Sequence, residues 1–418
     1  MLRIIRTAPA ALVLALGGTA AAQPGALEEI IVTAEKREAT LQDTAMAVNA
    51  FSGVELDRAL INKSMDLQLH VPNMLMSKGN FTSSESTIRG VGTLAVGLAS
   101  DRATGSHFHG VYLNDGRIFE TEYYDAERVE VLRGPQGTLY GRNTTAGVVN
   151  FITRKPQDSF GGDITVEVGD FEHRKIKGAI NLPITDRLAQ RFSVFYNERD
   201  GFVENKFTGN DIDGRDMYSV RSGTRWAGEN IDATLTVNYF EEDSDRMRGS
   251  NQRCKRDPDG IIGCLPTGLA DDNTNSAATA ANLLLNTIVA PALGVSFPED
   301  DFINSPGNAD PREQWLDFDP RYEVEDLMAS LEFNWRFGDY TLTSLTGYHD
   351  SDFDAMNDFD FTVPSEPWPI TVTTSFGPAG DITANNLFSA DRATSTTEQW
   401  SQEFRFASDF DGPWNFLV

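Results

Sequence analysis

From Gly161 onward, apolar and polar side chains alternate with the period of two that puts successive residues on opposite faces of a strand. Ile231, Ala233, Leu235, Val237 and Tyr239 fall on one face, and Asp232, Thr234, Thr236 and Asn238 on the other. Leu327, Ala329, Leu331, Phe333, Trp335 and Phe337 repeat the pattern against Met328, Ser330, Glu332, Asn334 and Arg336. Similar runs start at Ile164, Ile176, Phe192, Tyr218, Tyr340 and Trp400, and another begins at Trp414. Alternation alone suits a soluble sandwich as well as a barrel wall. The connections separate the two. Short links (Pro183 to Ala189, Gly228 to Asn230, Gly338-Asp339, Asp409 to Pro413) take turns with long ones (Gly201 to Gly214, 242–320, 352–394), and only the first link on the long rim, Gly169 to Glu172, is short. Tight turns on one rim and long loops on the other predict an antiparallel transmembrane β-barrel, of which residues 161–418 supply about eight to nine strands. Trp226, Tyr239, Phe240, Phe337, Tyr340 and Trp414 lie near strand ends, where interfacial aromatic girdles are expected. Beyond the leader, no run of about 20 apolar residues offers a membrane-spanning helix.

The first part of the chain follows other rules. Residues 1–22 carry Arg3 and Arg6, an apolar stretch from Ala8 to Leu16 and Ala20-Ala21-Ala22, the pattern of a cleaved signal peptide. A retained amphipathic helix is the alternative. In residues 23–40, Ile30-Ile31-Val32-Thr33-Ala34 stands between charged flanks and reads as a flexible, exposed strand that a partner's sheet edge could take up; a first strand of the following domain is the alternative. That domain, 41–156, opens with a strand at Ala47 to Phe51. Helices are expected at 53–60 and 64–69, the second capped by Ser64 and stopped at Val71-Pro72. His107 and His109, two apart, share one face if the strand is regular, which suggests either contact with a ligand or polar packing. Between Arg128 and Pro156, Gly134, Gly137, Gly141 and Gly147 punctuate two strand-like runs, with Glu130 set between Val129 and Val131.

Those residues resemble the plug domain of TonB-dependent outer-membrane receptors. The likeness rests on Ile88-Arg89-Gly90, on Val111-Tyr112-Leu113-Asn114-Asp115-Gly116, and on Arg133-Gly134-Pro135-Gln136-Gly137 with Tyr140-Gly141 and Asn150, Ile152 and Thr153. It implies an α+β plug seated in the barrel, with Ile30 to Ala34 as a TonB box. It also implies that Arg89 and Arg133 pair with Glu403, whose parity turns it to the lumen. Barrels of this family use about 22 strands, so the chain reads as an N-terminal portion, complete in plug and short in wall. The partners implied are the periplasmic TonB C-terminal domain, outer-membrane lipid, and an extracellular solute such as a ferric siderophore. A carbohydrate or another organic nutrient is the alternative cargo, and a passive porin or adhesin the alternative function.

Charge narrows the choice. The chain has 35 Lys and Arg against 62 Asp and Glu, a net −27. That surface repels phosphate backbones and disfavours nucleic acid. The excess is uneven, with 13 basic and 17 acidic residues from 23 to 160 and 20 against 45 from 161 onward. Cys254 and Cys264 share the longest loop and, after export, are expected to form a disulfide. No catalytic motif, cofactor signature or metal-ligand spacing occurs, so an enzyme is not expected; a secreted glycoside hydrolase is the contrasting alternative.

Overall fold

The computed structural model describes residues 30–37, 39–79, 85–92, 101–246, 312–358, 370–373, 381–384, 390–412 and 414–418. The leader, Cys254 and Cys264, and most of the two longest loops lie outside the described residues.

Two large sheets dominate the described residues. The N-terminal one has strands β1 (Val48–Ser52), β2 (Thr104–Phe108), β3 (Val111–Leu113), β4 (Ala126–Arg133) and β5 (Gly147–Thr153). Their order is β1-β4-β5-β2-β3, with β2 parallel to β5 and the other neighbours antiparallel. The middle of this sheet is covered on both faces, and every residue of β5 is buried. The strand-like run around Glu130 is buried from Arg128 to Leu132, Glu130 included. Helix α1 (Gly53–Arg58) begins with a capping box in which Ser52 and Glu55 satisfy each other's backbone N–H. The second expected helix is a 3₁₀ turn, Ser64–Leu69, and Ser64 does not cap it. The Ser64 hydroxyl is instead buried and accepts from the Tyr123 hydroxyl at 3.1 Å, while the Asp66 carboxylate accepts from the N–H groups of Asn62 and Lys63.

The second body is an eight-stranded antiparallel sheet in simple chain order. Its strands are β6 (Gly161–Val168), β7 (Arg174–Thr185), β8 (Leu188–Arg199), β9 (Arg215–Ala227), β10 (Ile231–Ser244), β11 (Arg321–Phe337), β12 (Tyr340–Asp358) and β13 (Ala390–Ser408). Burial along it is inverted relative to a soluble sheet. Thr234, Thr236 and Asn238 are buried, whereas Leu235, Leu331 and Trp335 are each more than 40 % exposed. A sheet that turns its apolar face outward and its polar face inward is built for a lipid exterior and a polar lumen. The inner face packs on the first domain: Phe195, Met217, Phe240, Tyr322 and Phe353 join Phe108, Phe119, Tyr124 and Phe151 in one hydrophobic cluster. At Gly347 of β12 a side chain would collide with Val111, since a Cβ there would sit 2.4 Å from Val111 Cγ1.

Aromatic rings gather in two bands. Near the short turns, Phe337, Tyr340 and Phe406 stack at centroid distances of 5.3 to 6.1 Å. Further out, Tyr348 meets Trp400 at 4.5 Å and Tyr218 meets Tyr239 at 6.0 Å. From Tyr340 to Tyr348 the strand rises about 27 Å, of the order of the ~25 Å apolar band of outer-membrane barrels. β12 and β13 have 19 residues each, more than the 9–11 that cross a bilayer, so their outer ends stand in water. Where a further strand is expected from Trp414, Phe406 and Val418 exchange backbone hydrogen bonds at 2.8 and 3.0 Å.

Candidate functional site: the plug–wall contact and the N-terminal segment

Residues 30–34 are folded, which corrects the expectation of a flexible, exposed segment for this stretch. Ile31 and Val32 pair with Thr40 and Ala39. Val32 and Ala34 have no exposed surface and pack with Ala50, Leu132, Tyr140 and Val148, whereas Ile31 is half exposed. Thr33 N–H donates to Glu130 Oε1 at 2.8 Å, and Thr33 O accepts from the Tyr140 hydroxyl at 3.2 Å. The reason is local: Val32 and Ala34 share a parity, and the edge of the plug offers an apolar recess under β4 and β5. Just beyond, Lys36 lies over the Tyr140 ring at 4.3 Å and reaches Glu403 Oε2 on β13 at 3.3 Å. Burial, aided by the nearby Arg405 charge, lowers the Lys36 ammonium from its ordinary range.

Glu403 does turn to the lumen side, but its partners are Lys36 and Arg405. The expected triad with Arg89 and Arg133 does not form among the described residues. Arg133 Nη1 donates to Pro72 O at 3.4 Å, and Arg89, whose N–H bonds Asn73 O, lies with its guanidinium beside Gly134. Both arginines flank the turn after β4, away from β13. The plug motif itself is structural: Gly134 and Gly141 hold φ of 111° and 78°, conformations that favour glycine, around the short helix Gly137–Tyr140 (α2). Pro135 follows the first of these glycines, and Gly90 belongs to the tight turn after Ile88.

His107 and His109 do not share a face. β2 ends at Phe108, and His109 takes a left-handed φ of 51°, which breaks the period of two. His107 is buried between the rings of Tyr112 and Tyr140, while His109 bonds Thr153 Oγ1 at 2.8 Å. Burial, with Lys36 near one ring and Lys155 near the other, lowers both imidazoles to about 3. Among the described residues, no group of three or more His, Cys, Asp or Glu side chains converges as a metal site.

The contacts that seat the plug were not anticipated. The segment Glu120 to Asp125 crosses the inner face of β7 to β10 and sets carboxylates against basic wall residues. Asp125 accepts from Arg191 Nε at 2.8 Å and also binds Arg191 Nη2 and Ser193 Oγ. Glu122 takes Lys175 at 3.1 Å and Lys177 at 2.5 Å, and Glu120 takes Arg246 at 3.4 Å as well as Lys78 of the plug itself. Tyr124 is inserted between them. Its hydroxyl bonds Ser219 and Asn238 at 2.8 and 3.0 Å, and its ring stacks on Phe195 with Arg221 at 4.2 Å on the ring face. On the other side the polarity reverses, as plug Lys155 meets wall Glu332 at 2.8 Å. The alternation did hold a signal: Lys175, Lys177 and Arg191 all have the inward parity of their strands, where an empty lumen would not require so many cations.

A plug-type domain seated on an inverted sheet can be compared with known proteins. Residues 40–148 match the family model for the TonB-dependent receptor plug domain. The chain therefore carries a plug domain of the TonB-dependent receptor type. Its similarity to the pesticin receptor of Yersinia pestis is 30 % identity over 223 residues, covering 50 % of this chain and 32 % of that protein. The iron-regulated outer membrane virulence protein of Vibrio cholerae serotype O1 is 28 % identical over 175 residues, 40 % of this chain and 26 % of that protein. Among solved structures, the open form of the ferric-catecholate import receptor Fiu from Escherichia coli superposes with a TM-score of 0.59 at 17 % identity, covering 89 % of this chain and 48 % of that receptor. The chain thus spans about half the length of that solved receptor.

Proposed function

We propose that the protein acts as an energy-coupled importer of the outer membrane, taking up a ferric siderophore or similar iron complex. Its division is a leader (1–22), a TonB-binding segment (23–40), a plug (41–156) and a wall (161–418) with outer loops at 242–320 and 352–394. The observation that carries the proposal is the inverted wall closed on its polar side by a plug domain: a passive pore has no use for a stopper held by this many contacts. Iron cargo is supported by relatives named for iron regulation and by a neighbour named for ferric-catecholate import. Solute would bind from outside, and force applied to Ile30–Ala34 by periplasmic TonB would shift the plug. The test is uptake of radioactive iron on a panel of siderophores in a deletion strain complemented with the gene, with or without codons 30–34. Restoration of uptake by the intact gene alone is expected. Uptake independent of residues 30–34 would indicate a passive channel, and a growth defect confined to carbon sources would move the cargo to an organic nutrient.

A further inference from the structure

From Gly161 onward the chain has 20 basic residues against 45 acidic ones, yet cations line the inner face of β7 to β10. Cross-strand pairing divides that face into rows, and five successive inward rows carry one cation each. Lys175 and Lys177 stand in the first two; Arg221, Arg191 and Arg225 stand in the next three, level with Ala179, Asn181 and Pro183. Two residues separate one row from the next, so each step is about 7 Å and the series runs about 27 Å, close to the height of the apolar band. Arg246 follows at the outer end, buried just beyond β10. The neighbouring strand β11 has no cation on this face from Tyr322 to Asn334, where Asp326 and Glu332 stand instead.

With the plug seated, most of these cations are answered by its carboxylates. Glu122 serves Lys175 and Lys177, Asp125 serves Arg191, and Glu120 serves Arg246. Arg221 is buried and has no ion pair among the described residues; Asn238 Oδ1 and Tyr124 O accept from it at 3.1 and 3.4 Å, under the Tyr124 ring. The wall adds few acids of its own. Within the five rows β7 to β10 hold only Glu242, while Glu167, Asp163 and Asp232 reach Lys175, Arg191 and Arg225 from the margins. Withdrawal of the segment Glu120 to Asp125 therefore leaves Lys177 and Arg221 with no anion, and Arg191 with Asp163 alone at 4.0 Å. Cations held out of water need anions beside them, and charged groups lining a passage select what enters it.

We propose that this series is a ladder of binding sites for an anionic solute, an iron complex whose ligand oxygens leave it with net negative charge, and that Glu120, Glu122 and Asp125 fill the ladder while the plug is seated. The ladder itself rests on contacts within the chain; the iron cargo rests on the function proposed above. Plug carboxylate and solute oxygen compete for the same ammonium and guanidinium groups, so a solute that enters as the segment leaves offsets the cost of its departure. The desolvation that makes Asp125 and Arg191 costly to part makes a replacement anion most stabilising there. Uncharged solutes receive no such help from this face.

The test is titration calorimetry of the purified full chain in detergent with inorganic pyrophosphate at constant ionic strength, for wild type, Glu122→Gln and Glu122→Gln combined with Lys177→Gln. Glu122→Gln vacates Lys177 and part of Lys175, and should tighten pyrophosphate binding about tenfold because the internal competitor is gone. Adding Lys177→Gln should cancel most of that gain. Equal affinity in wild type and Glu122→Gln, or a gain that survives the loss of Lys177, would overturn the ladder. Should Glu122→Gln fail to assemble, Arg221→Met decides, since its loss leaves no plug carboxylate unpaired. In the complemented deletion strain, uptake of radioactive iron as an anionic ferric tris-catecholate should then keep its KM and lose about fivefold in Vmax per surface receptor, because the ladder lies below the mouth. An unchanged Vmax per receptor would overturn the ladder. Absence of catecholate uptake in wild type, with pyrophosphate binding as expected, would refute the cargo and leave the ladder standing.

Discussion

The wall holds the plug differently along its two halves. Against β7 to β10 the plug presents acids, and the contact is dry: the side chains of Asp125 and Arg191 are 3 % and 8 % exposed. Tyr124 and Ser193 add hydrogen bonds to buried partners there. Against β11 to β13 the plug and the N-terminal segment present lysines. There Lys155 and Glu332 are each about a third exposed, and Glu403 is similarly open to solvent although its partner Lys36 is buried. A desolvated, multiply bonded pair is expensive to break because a single charge is left buried, whereas a hydrated pair loses little. The Asp125–Arg191 pair is therefore built as an anchor and the Lys155–Glu332 pair as a contact that can be released and remade.

Substitutions that strip one partner from each side test this asymmetry. The largest effect is expected for Asp125→Ala, which leaves Arg191 buried without its carboxylate and should destabilise the plug by about 3–5 kcal/mol. Urea-dependent proteolysis of the plug in detergent measures it. Acid comes next. His107 and His109 are held neutral in the fold to about pH 3, below their unfolded value of 6.5. Between those limits the unfolded chain binds more protons, so stability is full above pH 6.5 and falls on acidification. Each ring contributes about 1.4 kcal/mol per pH unit across that window. The same proteolysis at pH 7, 6 and 5 should show the slope, and His107→Gln should reduce it. A plug equally stable at all three values would contradict the lowered titration of the two rings.

Tyr124→Phe keeps the ring on Phe195 but leaves Ser219 and Asn238 without the hydroxyl, and should cost about 1–3 kcal/mol. Lys155→Met, on the hydrated side, should change stability by no more than about 1 kcal/mol. If it matched Asp125→Ala in the same assay, the distinction between anchor and releasable contact would be lost.

Much of the architecture was legible in the chain because it depends on local rules. A period of two, tight turns and turn-favouring glycines act over a few residues, so the wall strands, their connections and the turns around Gly134 and Gly141 could be placed in advance. The failures share a physical cause. Ser64 and His109 sit where a distant group or a positive φ overrides the local pattern. Ile30 to Ala34 looked exposed because its charged neighbours are all that lie beside it in sequence, while the recess that buries Val32 and Ala34 is made by β4 and β5 a hundred residues later. Alternation likewise assigned Glu403 to the inner face correctly, and it carried the same unread signal for Lys175 and Arg191, since parity is a property of one strand. Which charge each of them meets depends on how the plug is rotated within the wall. That rotation is set by packing of Tyr124, Phe151 and Val111 against β8 to β12, a relation between surfaces that neither segment encodes by itself.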